Sequence, residues 1–172
     1  MPPIKYFVST KESSRNLRED VSKLRKYIKR ILNDKMDGIT KHTGVVYEEV
    51  KREKDANIVV SLNNQSHIND VCGFSKLSCS VIYTSSSNVP DRIYFSFENW
   101  MGESDWEGSL KEYRTYLINH EFLHCRPFYL EHPKRISCKV EKKLPVMYQQ
   151  SRGIPKSNCK HNPWPLKHEF NK

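Results

Sequence analysis

His120 and His124 stand four residues apart with Glu121 beside the first, in the run His120-Glu121-Phe122-Leu123-His124. Residues four apart on a helix share a face, so both imidazoles can reach one cation. Glu121 then sits beside that cation, where a carboxylate can take a proton from water that the cation acidifies. The expectation is a zinc ion at His120 and His124, with Glu121 as general base. The bland alternative is a solvated helix face carrying two spare histidines. It is the weaker reading, because the pattern falls where a helix is expected and further candidate ligands follow it.

A catalytic zinc site needs a third protein ligand, with one position left for water. In one class of such sites the ligand is the last histidine of H-E-x-x-H-x-x-G-x-x-H, where the glycine turns the chain back to the metal. Here the glycine position holds Pro127 and the last histidine position holds Leu130; His132 lies two residues further on, beside Glu131. His132 on a slightly longer loop is the preferred third ligand. Glu131 is its rival, since carboxylates also complete such sites, and a site with two ligands only is the remaining alternative. His161 and His168 are distant candidates, better read as surface residues. Met147, in the turn Leu144-Pro145-Val146-Met147-Tyr148-Gln149-Gln150, could form the methionine turn that packs under the ligands in that class, with ordinary core as the competing reading. Tyr129 and Tyr148 are candidate oxyanion donors, although loop aromatics serve packing more often.

The elements that must position these residues are legible in outline. Ile4 to Ser9 reads as a strand. Asn16 to Leu32 reads as a helix, with Val21, Leu24, Ile28, Ile31 and Leu32 at helical spacing and Asn16 with Glu19 as a capping box. Val45 to Val50, Asn57 to Leu62, Ser80 to Thr84 and Arg92 to Phe97 are apolar or β-branched runs between polar turns, read as strands. Asn63 to Asn69 reads as a polar loop. Ser109 with Glu112 has capping-box spacing at the head of the metal helix, which Pro127 should end. From Pro127 to Lys172 periodicity is lost. The expected fold is one α+β domain over residues 1–172: a sheet-and-helix part over 1–126, with a twisted sheet and two long helices, and an irregular C-terminal part over 127–172.

The chain has 172 residues, enough for a core without metal staples, and its 37% hydrophobic content argues against disorder. No apolar run approaches membrane-spanning length, and the first residues lack a signal-peptide core. The net charge of +9 makes nucleic acid a secondary expectation as partner, but the basic clusters Lys23 to Lys29 and Lys139 to Lys143 are not interleaved with aromatics as a base-stacking surface would be. Cys72 and Cys79 bracket a short loop containing Gly73, and Cys138 and Cys159 bracket a Pro-rich segment. Disulfides help most in such irregular stretches, so both pairs are expected, with Cys125 a packed free thiol. Five reduced thiols are the alternative.

Taken in order, several stretches resemble a zincin-like family of mostly secreted actinobacterial proteins, described chiefly as a domain of unknown function. They are the Cys72-to-Cys79 loop, Asn99-Trp100-Met101-Gly102, Tyr113-Arg114-x-Tyr116 running into Asn119-His120-Glu121-x-x-His124, Pro145-Val146-Met147-x-Gln149-Gln150, and Cys159-x-x-Asn162-Pro163-Trp164-Pro165. The N-terminal strand and helix also fit. The resemblance implies a metzincin-like fold, zinc at the two helical histidines and paired cysteines. The family places its third histidine at the position of Leu130, in a Gly-containing loop. This chain has neither, and a two-residue insertion that restores the ligand as His132 is the preferred repair. The departures point to a divergent relative, for instance a protein of a large DNA virus, and the cysteines to an oxidising environment or a virion.

Two functions follow. The leading expectation is a zinc metallopeptidase acting on a peptide or protein, with the strand Arg92 to Phe97 pairing with an extended substrate. The alternative is an inactive zincin-fold structural or interaction protein, for example a basic virion component.

Overall fold

The computed structural model describes residues 2–11, 17–73, 77–83, 87–102, 105–135, 138, 142–154 and 158–171. Asn16, the expected helix cap, and Thr84 to Ser86, the end of one expected strand and the start of the turn after it, lie outside the described residues, as do residues 139–141 of the second basic cluster.

The chain opens with β1 (Ile4–Val8) and α1 (Arg18–Leu32), the latter burying the five apolar residues whose spacing predicts it. Its first turn carries Glu19 and Asp20 and its last Lys29 and Arg30, the arrangement that complements a helix dipole. Asn33 then ties the helix end to the next strand: its amide donates to Tyr47 O at 2.8 Å and its Oδ1 accepts from Tyr47 N at 2.9 Å. A short helix α2 (Ile39–Thr43) leads into β2 (Tyr47–Glu49) and β3 (Ile58–Asn63). After α3 (Gln65–Cys72) come β4 (Ser78–Val81), β5 (Asp91–Ser96), α4 (Phe97–Trp100) and α5 (Leu110–His124).

The strands form one mixed sheet in the order β2-β1-β3-β5-β4. The pairs β1–β2, β1–β3 and β3–β5 are parallel, and β4 runs antiparallel along β5 as an edge. All six residues of β3 are buried, as expected for a parallel strand covered on both faces. Two expectations fail here. The stretch Asn63 to Asn69 is not a polar loop but holds the start of α3, nucleated by the Asn64 side chain accepting from His67 N at 2.9 Å and anchored by one buried apolar residue, Ile68. The strand Arg92 to Phe97 cannot take a substrate by pairing, because β5 is bonded to β3 on one side and β4 on the other. Among the described residues the open edge of the sheet next to α5 belongs to β4.

The C-terminal segment is held by buried amides more than by regular structure. Gln150 and Asn162 exchange bonds (Asn162 N to Gln150 Oε1 at 2.7 Å, Gln150 Nε2 to Asn162 O at 2.9 Å), and Gln150 Nε2 also reaches Pro145 O. Asn119 Nδ2 on α5 donates to Pro163 O at 2.9 Å, tying the segment to that helix. Cys138 and Cys159 are disulfide-bonded, as are Cys72 and Cys79, while the Cys125 thiol is free and buried. Both pairings match the sequence expectation and are consistent with an oxidising environment. Among the described residues no helix is long and apolar enough to cross a membrane.

Candidate metal centre

Helix α5 starts on a complete capping box: Ser109 Oγ accepts from Glu112 N, and the Glu112 carboxylate accepts from Ser109 N. This fixes the helix start and therefore the rotation at which its later residues present themselves. The sheet and the C-terminal segment enclose it, so that Tyr113 and every residue from Thr115 to Leu123 are buried. Enclosure on all sides explains why the helix shows little apolar-to-polar asymmetry. It also leaves His120 and Glu121 only 5% and 4% exposed.

The chain after His124 turns straight back. Tyr129 N donates to Cys125 O at 3.1 Å and Leu130 N to Leu123 O at 2.9 Å, with Tyr129 at φ 49°. The left-handed residue that reverses the chain is thus Tyr129, two positions beyond Pro127, where the extended pattern has its glycine. The turn is anchored at Arg126. Its Nε lies 3.0 Å from Asp91 Oδ2, its Nη2 3.2 Å from Asp91 Oδ1, and its backbone N–H donates to Asp91 Oδ2 at 3.0 Å. Asp91 is fully buried at the start of β5, and its carboxylate holds the Arg126 guanidinium firmly in the charged form.

This geometry brings His132 to the helix. The Nε2 atoms of His120, His124 and His132 form a triangle with sides of 3.1, 3.1 and 3.2 Å. His120 Nδ1 donates to Val146 O at 2.8 Å and His124 Nδ1 to Leu130 O at 2.7 Å. A carbonyl oxygen can only accept, so both Nδ1 atoms carry the hydrogen of these contacts, and in a neutral ring bonded this way Nε2 is the atom that holds the lone pair. Burial and the neighbouring His124 push the His120 pKa down to about 3, which keeps that ring neutral. Lone pairs at such distances repel one another unless a cation lies between them. A tetrahedral site with bonds of 2.0–2.1 Å has ligand atoms roughly 3.3–3.4 Å apart, close to the observed triangle. The three residues therefore fit a metal ion with a position left over, and the outer nitrogens of His120 and His124 each meet a backbone carbonyl, as metal-binding imidazoles require.

The other candidates divide. Glu131 is exposed and outside the triad. His161 packs at a tilt against Trp106 with ring centroids 4.1 Å apart, and His168 lies in a 3-10 turn, Lys167–Phe170; neither joins the triad. Met147 is buried in the core, in the turn whose Val146 carbonyl holds His120. That turn is capped by Glu169, whose carboxylate accepts from Val146 N, Met147 N and Leu166 N, while burial pushes its pKa upward. Tyr129 and Tyr148 do not line the cleft above the histidines.

That cleft, about 240 Å³, runs between α5 and the edge strand, lined by Ser78, Ser80 and Ile82 on one side and Gln149, Ser151 and Arg152 on the other. Sequence reasoning missed one feature of it. Glu121, 4% exposed, accepts from Ser78 Oγ on one carboxylate oxygen and from Ser80 Oγ on the other, both at 2.6 Å. The alternation Ser78-Cys79-Ser80 is the only local hint, since a strand turns those two serines to one face.

A comparison with curated proteins found no match. Residues 20–167 match the model of the family described as "Protein of unknown function (DUF3152)", and the chain belongs to that family.

Proposed function

We propose that the protein is a zinc-dependent peptide hydrolase with a zincin-like, metzincin-type arrangement. The observation that carries this reading is the triangle of three imidazole Nε2 atoms 3.1–3.2 Å apart, with the buried carboxylate of Glu121 on the helix that carries two of them. His120, His124 and His132 would hold the ion; zinc suits three nitrogen ligands with an open position. When bound, it supplies polarisation of the scissile carbonyl and acidifies water. Glu121 accepts a proton from the attacking water as the C–O bond forms and passes it to the amine as the C–N bond breaks. Among the described residues the outer edge of β4 pairs with no other strand, and an extended peptide can add to it beside the cleft.

One observation favours a second reading, a zinc-pinned structural module. Both oxygens of Glu121 already have hydroxyl donors, as they would if the carboxylate served only to fasten β4 to α5. The two readings part on a single comparison. Zinc-loaded wild type should cleave a quenched fluorescent peptide library, and Glu121→Gln should bind zinc equally but lose roughly 10²–10⁴-fold in rate. Equal zinc content with no cleavage by wild type would favour the structural module.

A further inference from the structure

We propose that Ser78 and Ser80 are positioning residues for Glu121, an inference that rests on the peptide-hydrolase reading. Side chains two apart on a strand share a face. On β4 that face looks at α5, and the two hydroxyls reach different oxygens of one carboxylate. Cys79, between them, is bonded to Cys72 at the last position of α3. The strand is thus tied on one side by a covalent bond and on the other by the Glu121 carboxylate.

Two donors on one oxygen would leave a carboxylate free to swing. One donor on each oxygen fixes the terminal torsion of a glutamate, which is otherwise broad. Each oxygen has two acceptor sites, so one hydroxyl apiece leaves one site on each oxygen for a proton from water. Ser80 Oγ also lies 3.1 Å from the Glu121 backbone carbonyl, but its single hydrogen goes to the nearer carboxylate oxygen. The pairing of β4 with β5 is a backbone ladder and places no demand for serine at either position. The hydroxyl pair therefore holds a buried base in one orientation without consuming its capacity to accept. A misplacement of the order of 1 Å in such a group can cost about 10²-fold in rate.

The test compares wild type, Ser78→Ala/Ser80→Ala, the two single alanine variants and Ser78→Thr/Ser80→Thr, each checked for zinc content. Glu121 reactivity is read by carbodiimide and glycine ethyl ester labelling with peptide mapping, and turnover with the quenched fluorescent peptide library. The double alanine variant should expose Glu121 to labelling and lower kcat by roughly 10- to 100-fold, with KM and zinc content little changed. The threonine pair, which keeps both hydroxyls, should restore low labelling and bring kcat back toward wild type. If the double alanine variant loses zinc or fails to fold, the single variants carry the same comparison at smaller amplitude. Unchanged labelling and unchanged kcat in the alanine variants would overturn the proposal, as would an effect on KM alone. Should wild type cleave nothing, the hydrolase reading falls, and the labelling decides by itself whether the serines hold the carboxylate.

Discussion

Arg126→Met is the most searching perturbation of the loop that carries the third histidine. Asp91 is fully buried and, among the described residues, receives four hydrogen bonds: Arg126 Nε, Nη2 and backbone N, and Tyr83 N. The substitution removes the two guanidinium bonds to Asp91, a third to Val89 O, and the one cation paired with Asp91 among the described residues, while keeping the backbone donor and much of the side-chain volume. Hydrogen bonds to charged groups contribute about 1.5–3 kcal/mol each, and breaking one half of a buried ion pair costs about 3–5 kcal/mol, so the two routes agree. For 172 residues the unfolding entropy near the midpoint is about 0.36 kcal/mol/K, which converts that loss to a fall in Tm of roughly 8–14 °C. Circular dichroism melts are the assay, run with chelator so that metal linkage does not mask the change. Adding Asp91→Asn to the variant should recover part of the loss, because no buried charge is then left unpaired. A fall in Tm below about 3 °C, near 1 kcal/mol by the same conversion, would refute the assignment of this pair as the anchor of the returning loop.

Two further outcomes are expected. His132→Ala should weaken zinc affinity, measured by competition with a chelating dye, by more than the roughly 10–100-fold that loss of an outer partner costs, whereas Glu131→Ala should change it by less than about twofold because the carboxylate is exposed; equal losses in both would move the third ligand to Glu131. Burial raises the folded-state pKa of Glu169 above its ordinary 4.5, so the folded chain binds more protons than the unfolded one and stability falls as pH rises from that value through the raised pKa. Urea unfolding of chelated wild type should therefore weaken relative to Glu169→Gln as pH increases across that window, and a difference that is flat or of opposite sign would contradict the burial argument.

What could be read in the sequence was local. Ser109 and Glu112 mark the head of α5 because both halves of a capping box lie within one turn, and the five apolar residues of α1 repeat with the helix period. Helix α3 escaped because its single buried apolar residue, Ile68, leaves no period to detect, and its start depends on the Asn64 cap. Strand order was equally out of reach: whether β4 or β5 forms the edge depends on pairing between distant segments. His132 could be named only as a preference, since its arrival depends on Asp91, 35 residues before Arg126 in the chain. The serine pair lies 41 and 43 residues from Glu121, and no short pattern connects them.

The carbonyl of Leu130 has a consequence for how such sites can be found. Leu130 occupies the place of the absent histidine, yet it still serves the centre, because its main-chain oxygen receives the Nδ1 hydrogen of His124. Any residue can offer that oxygen, so the side chain at this position need not be histidine, and a third imidazole can arrive from further along the loop. Sequence patterns that demand a histidine at a fixed interval will pass over chains built this way. A pattern written around the backbone, with a helix end, a left-handed turn and a carbonyl aimed at the second histidine, would keep them.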